Sequence, residues 1–438
     1  MKVDALPEPF GDRHEMRRVV RGWLDAARAA AAARESRYWY PLSLPTFDEV
    51  EITEAIESMC RCETTMGAKT AAFERAYADW VGAAHAVMVN SGSSADLLAA
   101  YVLADPGGPR LEPGDEVLLP AVTWPTQIWS ILMAGFSGRL VDADPATLNM
   151  DLDDLERKIT PRTRAIFVVH LMGNPLDMDG IGAIADRHGL MVLEDCCEAL
   201  GARWQGRSVG TFGLAGTCSF FFSHHMTTME GGMVTCEDDR LAATFRQLRA
   251  HGWVRGGSAP RPSAEAAGCD PRFLFTTWGF NLRPTEVQAS FGLHQLARQE
   301  LFRARRNALA ERFFAFVDDS RWLSRPRAEA AAEPAWFALP VLLAESAPFG
   351  RDQLAAELEA AGVETRPIVT GNIARQPAAR LFPQLACGAL PGADRIHDRG
   401  LYLGLSPTSD ARQIDRLIET CGGILARLSG GRRGVRAA

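Results

Sequence analysis

Four short stretches carry residues suited to chemistry. SFFFSHHMTTMEGGMV (219–234) breaks an aromatic run at Ser223 and then presents His224 and His225, a polar loop and a glycine pair. NSGSSADLLAA (90–100) sets Gly92, Ser93 and Ser94 between an apolar run and a helical pattern. AVTWPTQ (121–127) carries Trp124, and VLEDCCEALGA (192–202) carries Glu194, Asp195 and Glu198. Free N–H groups and hydroxyls at a helix start bind an anion such as phosphate. An indole stacks on a planar ring. A carboxylate at a strand end holds a pyridinium nitrogen protonated, which makes that ring an electron sink. An imidazole near the reactive carbon moves protons near neutral pH. Each stretch alone has a plainer meaning: an N-cap, a core tryptophan, capping carboxylates, two histidines closing a strand. Taken together, with Ser219 as a second phosphate ligand five residues before His224, they describe a site for pyridoxal 5′-phosphate.

Those residues need a scaffold that brings strand ends together. AHAVMVN (84–90), DEVLLPAV (115–122), GRLVDAD, RAIFVVHLM, GLMVLEDC and GTCSFFF read as short buried strands. Helical patterns such as SGSSADLLAAYVLA, TQIWSILMAGF and DGIGAIADRHG lie between several of them. The alternation predicts an α/β sheet covered on both faces. After GGMVTCEDD the chain turns mostly helical, and a long helix near 285–317 bridges to a C-terminal part with strands in WFALPVLLA and GVETRPIV. RRVVRGWLDAARAAAAARES reads as a helix broken by PLSLPTF. The expected division is an N-terminal helical extension (1–45), a large cofactor-binding domain (46–300) and a small C-terminal domain (301–438).

From about Pro41 to Leu428, the order and spacing of these motifs resemble the sugar aminotransferase family of fold-type I pyridoxal-phosphate enzymes, which act on nucleotide-linked keto sugars. In that family the last motif normally carries the lysine that binds the cofactor covalently; here the matching position is His224. A histidine there resembles one subgroup, the 3-dehydratases of 4-keto-6-deoxy sugars. SHHMTTMEGG, RAHGWVR (249–255), GFNLRPTE (279–286) and ETRPIVTGN (364–372) resemble that subgroup's motifs. The resemblance implies an aspartate aminotransferase-like large domain with a mixed, mostly parallel sheet and a smaller C-terminal α+β domain. It implies pyridoxal 5′-phosphate and its amine form, pyridoxamine 5′-phosphate, as cofactor. The partners implied are L-glutamate, a nucleotide-linked 4-keto-6-deoxy sugar and a second copy of the chain in a homodimer with shared active sites.

The resemblance also implies residue roles: His224 as the catalytic base, Asp195 against the ring nitrogen and Glu198 near the ring hydroxyl. Asn281 would reach the phosphate from the second subunit, and His251, Arg366 and Asn372 would face the sugar. His225 is expected to be structural. GLYLGLSPTSD (400–410) lacks the histidine expected in that subgroup, and the N-terminal extension has no counterpart there.

Lysine and cysteine usage narrows the chemistry. Lysine occurs only at Lys2, Lys69 and Lys158, all outside the motifs. A lysine-dependent transaminase needs an amine in the site, so that reaction is not expected. A related 3-dehydrase subgroup carries a [2Fe–2S] cluster, which needs four converging thiolates. The nine cysteines show no matching spacing, so no metal is expected. An iron–sulfur 3-dehydrase and a non-catalytic cofactor-binding relative remain the rival readings. The net charge of −7 argues against nucleic-acid or anionic-membrane partners. With no run of roughly 18 apolar residues and no apolar leader core, a cytoplasmic protein with reduced thiols is expected.

Overall fold

β-Strands with no polar face need cover on both sides, and the central sheet has it. The computed structural model describes residues 13–32, 37–105, 109–254 and 268–430; Lys2 and Arg255 lie outside them. An N-terminal helix, α1 (Arg13–Ala32), precedes α2 (Glu49–Cys60) and α3 (Ala68–Val81). Strands and helices then alternate: β1 (His85–Val89), α4 (Gly92–Val102), β2 (Glu116–Pro120), α5 (Pro125–Met133), β3 (Ser137–Val141), α6 (Leu152–Arg157), β4 (Thr163–Val169), α7 (Met178–His188) and β5 (Met191–Asp195). A small hairpin, β6 (Arg203–Trp204) and β7 (Arg207–Ser208), leads into β8 (Ala215–Ser219), β9 (Gly232–Cys236) and α8 (Asp239–Leu248).

The large sheet runs β1-β9-β8-β5-β4-β2-β3. Only β9 is antiparallel to its neighbours, so β1, β8, β5, β4, β2 and β3 all end on the same edge. Successive strand residues face opposite sides. Val117, Leu119 and Phe167 pack with Leu98 and Ile128 of α4 and α5, while Leu118, Ile166 and Val168 pack with Leu155, Ile181 and Ile184 of α6 and α7. The α/β expectation is met by this two-sided core.

The expected long helix near 285–317 is two helices, α9 (Glu286–Leu296) and α10 (Gln299–Asp318). At the break Arg298 pairs with Asp48 and Glu51 at the start of α2. This holds α9 beside α2 and α3 and frees α10 to run toward the C-terminal sheet. There β10 (Leu323–Ser324), β12 (Leu339–Leu343), β15 (Gly400–Leu403) and β13 (Thr365–Pro367) form an antiparallel sheet in that order. It packs with α10, α11 (Arg351–Ala360) and α13 (Ala411–Leu428) through Phe313, Phe314, Leu354, Leu401, Ile414 and Leu417. β11 (Ala332–Glu333) pairs instead with β6.

The C-terminal part does not stay together. β14 (Leu385–Ala386) adds to the edge of the large sheet beside β3, and Asp142 caps α12 (Pro391–Arg399) by accepting from Gly392 and Ala393 N–H. Ile368, Ile373, Leu390 and Ile396 belong to the large core.

Glu194 ties the middle of the sheet to its rim. Its buried carboxylate accepts N–H bonds from Gly210 (2.7 Å), Phe212 (2.7 Å) and Gly213 (2.8 Å). His170 Nδ1 accepts from Leu176 N–H, so its Nε2–H donates to Glu194 (3.2 Å). Of the acids in VLEDCCEALGA, Glu194 is thus a structural staple. Glu194→Ala strands four buried donors, and denaturant unfolding should show a loss of about 3 kcal/mol or more.

Candidate active site

The C-terminal ends of parallel strands are where open α/β sheets bind ligands. A cavity of about 490 Å³ opens there, against the small sheet. Ser91, the N-cap of α4, accepts from Ser94 N–H (3.1 Å), and Gly92 and Ser93 line the cavity at the helix start. First-turn N–H groups there have no intrahelical acceptor. Ser219 ends β8 directly opposite. A Cβ on Gly92 would lie 2.5 Å from Ser219 Cβ and 2.9 Å from Ser219 Oγ, so only glycine lets the two motifs meet. They form an anion cradle from two remote parts of the chain.

Asp195 ends β5, is buried, and accepts from Cys197 N–H (2.9 Å). Beside it lies Asp96 on α4, which accepts from Thr217 Oγ1 (2.7 Å) and Thr126 Oγ1 (3.2 Å). Burial raises the pKa of both; for Asp96 the charge of Asp195 adds to the rise. A cationic ring nitrogen would compensate this pair. Trp124 precedes Pro125 at the start of α5 and is 57% exposed, so it is not a core tryptophan; its ring borders the cavity. Glu198 accepts from Met172 N–H (3.1 Å); burial first, then Asp195, pushes its carboxyl up to about 7. Burial and Glu198 in turn push the Tyr402 phenol up to about 12.

His224 closes the opposite wall. Its ring sits edge-to-face with Phe221 (5.9 Å) and Phe337 (5.2 Å), and Nδ1 is buried without a hydrogen-bond partner. Nε2 is therefore the nitrogen left for the cavity. Burial, followed by the charge of Arg306, lowers its pKa to about 4, so the imidazole is neutral at physiological pH. His225 turns away and bonds Ala335 O (2.8 Å). No lysine lines the cavity among the described residues. Lys69 is held by Glu54 and Ser58, and Lys158 by Asp154 and Leu140 O.

The fold brings Gly92, Ser93, Trp124, Asp195, Glu198, Ser219, His224 and Arg366 to one cavity. Arg366 comes from β13, opposite Tyr402 of β15, and pairs with Glu364 (3.0 Å). Four expected residues lie elsewhere. Ser94 spends its hydroxyl on Asn90 Oδ1 (2.6 Å), inside the N-cap network. Asn372 is buried and caps a short 3₁₀ turn through Ala374 N–H; its amide also donates to Asp394 (2.9 Å), and it does not line this cavity. His251 and Asn281 share one exposed loop pair, joined where His251 N–H donates to Phe280 O (2.8 Å), and neither lines this chain's own cavity.

Asp96, Thr126, Glu230, Phe337 and Tyr402 border the cavity without having been singled out in the sequence. Only Asp96 carries a local signal, as the one charged residue of α4. Gly92 against Ser219, the acid pair and the unpartnered His224 ring together fit a phosphorylated pyridine.

Over residues 45–421 the chain matches the DegT/DnrJ/EryC1/StrS aminotransferase family, and it belongs to that family. A GDP-4-keto-6-deoxy-D-mannose 3-dehydratase of Yersinia pseudotuberculosis is 36% identical over 382 residues, 86% of this chain and 97% of the relative. The Escherichia coli GDP-4-keto-6-deoxy-D-mannose-3-dehydratase with bound hydrated PLP is similar in structure, with TM-score 0.83 and 33% identity over 88% of this chain and 99% of that one. A GDP-4-keto-6-deoxymannose-3-dehydratase with a trapped PLP–glutamate geminal diamine has TM-score 0.82 and 33% identity, covering 87% of this chain and all of its own.

The Glu198 carboxyl titrates higher folded than unfolded. Its stabilising contribution is therefore complete below the ordinary carboxylate range and falls away as pH rises toward and past 7. Glu198→Gln removes that loss. Its melting temperature should match wild type near pH 5 and exceed it at pH 8.5, by about 1–3 kcal/mol of stability.

Proposed function

We propose that the chain is a pyridoxal/pyridoxamine 5′-phosphate-dependent 3-dehydratase of a nucleotide-linked 4-keto-6-deoxyhexose, with GDP-4-keto-6-deoxy-D-mannose the first substrate to try. The observation that carries this reading is His224, kept neutral by burial on a cavity wall that no lysine lines among the described residues; we take its position as that of the family's covalent lysine. The bound cofactor supplies an amine taken from L-glutamate and an electron sink that lets the C3–O bond break. In the net reaction glutamate is oxidised to 2-oxoglutarate and releases ammonia, while the sugar loses its C3 oxygen and gains two electrons.

The chain's own groups divide that work. Gly92, Ser93 and Ser219 hold the phosphate, Trp124 covers the ring, and Asp195 holds the proton on the ring nitrogen. Glu198 stands near the ring hydroxyl. Neutral His224 takes a proton and returns one to the leaving hydroxyl. An imidazole moves protons as a lysine does but forms no covalent bond to the cofactor's carbonyl carbon, so release of the dehydrated sugar competes better with amine transfer. Arg366, from the small sheet, faces the substrate.

A homodimer completes the site, with Asn281 and His251 serving the partner's cavity; their shared exposed patch supports this. The cluster-free mechanism is favoured over an iron–sulfur one because each potential metal-ligand group among the described residues contains one cysteine, not four. No described helix is long and apolar enough to cross a membrane.

Purified protein with pyridoxal phosphate, L-glutamate and GDP-4-keto-6-deoxy-D-mannose, without any reductase, should release ammonia and a product lighter by one oxygen atom. His224→Asn should lower turnover by about 10²-fold or more while still binding cofactor. His224→Lys should gain a visible absorbance band without dehydration. Full turnover by His224→Asn would remove the base from this scheme.

A further inference from the structure

Behind His224 lies a buried guanidinium without an acid. Arg306, on α10, is 3% exposed. Nη1 donates to Leu405 O (2.7 Å) and Phe337 O (3.3 Å), and Nη2 donates to His224 O (3.3 Å). Nε is buried with no partner. No carboxylate pairs with it among the described residues, whereas Arg249 has Glu74 and Arg298 has Glu51. Burial lowers its pKa to about 10, which leaves it cationic at neutral pH.

A buried, unpaired charge is costly, and this one lies where three pieces of the fold meet. Phe337 enters β12, Leu405 leaves β15, and His224 belongs to the loop between β8 and β9. The arginine bonds only carbonyl oxygens, so its charge is oriented by dipoles but not cancelled. The other charged or titratable groups near His224 are His225 on its own loop and, lining the same cavity, Asp96, Asp195, Cys197, Glu198, Glu230, Arg366 and Tyr402. Arg306 is the charge that acts on the imidazole, after burial itself.

We propose that Arg306 is a positioning residue for His224: it clamps the carbonyl of that residue to the small sheet and bars a second positive charge from its ring. This rests on the reading of His224 as the proton-transferring group. The clamp fixes where the ring stands in the cavity. Added to burial, the uncancelled charge helps keep Nε2 unprotonated and able to accept a proton through the mildly acidic range. A carboxylate partner for Arg306 would abolish the second effect, which accounts for its absence.

The test uses the cofactor-loaded protein with ring-labelled histidine. NMR titration follows the His224 ring, assigned by its loss in His224→Asn, alongside the acid limb of kcat/KM against pH. Arg306→Gln retains an amide donor without charge; Arg306→Lys retains the charge with fewer donors. In Arg306→Gln the ring should titrate at least about one pH unit higher than in wild type, and the acid limb should move with it. In Arg306→Lys the ring should titrate as in wild type, with kcat lowered through poorer placement. Equal titration in wild type and Arg306→Gln would overturn the proposal. Should the glutamine variant not fold, a one-unit rise in Arg306→Lys would overturn it as well. The ring titration is read without turnover. A misassigned base at His224 therefore shows in the assay of His224→Asn, while the effect of Arg306 on the ring is read separately.

Discussion

The site depends on how closely β1, β9 and β8 approach one another at the cavity edge. Gly232, the first residue of β9, pairs with Val89 on one side and Ser219 on the other. A side chain there would run into Ser91 O, so the glycine lets the start of α4 fold down over the sheet. Gly92 then rests on Ser219 with no room for a methyl group between them. Strand spacing in a sheet is nearly invariant, so these contacts set the width of the anion cradle. The antiparallel insertion of β9 also turns the chain through the loop that carries His224. One backbone contact thus fixes the cradle and the base relative to each other.

The rest of the cavity is governed by burial of charge. Asp96, Asp195 and Glu198 share one cavity wall with no lysine or arginine paired to them among the described residues, and burial favours the neutral form of each. On the opposite wall the same effect keeps His224 neutral, reinforced by a guanidinium that has no carboxylate partner among the described residues. A group with a cationic ring nitrogen at one end and an anionic phosphate at the other suits this arrangement. Its nitrogen would compensate the acids, and its phosphate would meet N–H groups and hydroxyls that carry no formal charge. Arg366, held by Glu364 on the small sheet, is the cation left bordering the cavity.

Much of this was legible locally. His224, Asp195 and the Gly92–Ser93 turn stand at strand ends that short-range patterning marks, and scarcity of lysine is a matter of counting. Trp124 was ambiguous until its exposure separated a cavity wall from a core residue. The motif around Asn372 carries no sign that its amide bonds Ala374 N–H and Asp394 outside this cavity. In SGSSA the hydroxyl of Ser94, which bonds Asn90, and that of Ser93, which lines the cavity, look alike. The supposed single helix from 285 to 317 is broken by Arg298, whose partners Asp48 and Glu51 lie some 250 residues away in the chain.

The amino-acid sequence by itself determined the alternating α/β scaffold, the chemical types collected at its strand ends, and the lack of any lysine after Lys158. Those features follow from hydrophobic periodicity and residue identity, which are local. Only the tertiary structure decided that Asp96 backs Asp195, that Tyr402 and Arg366 reach the cavity from another sheet, and that Arg306 stands uncancelled behind His224. Each of those depends on burial and on distances between segments far apart in the chain. Pairing and desolvation, which decide whether a buried group is charged, have no local signature in the sequence.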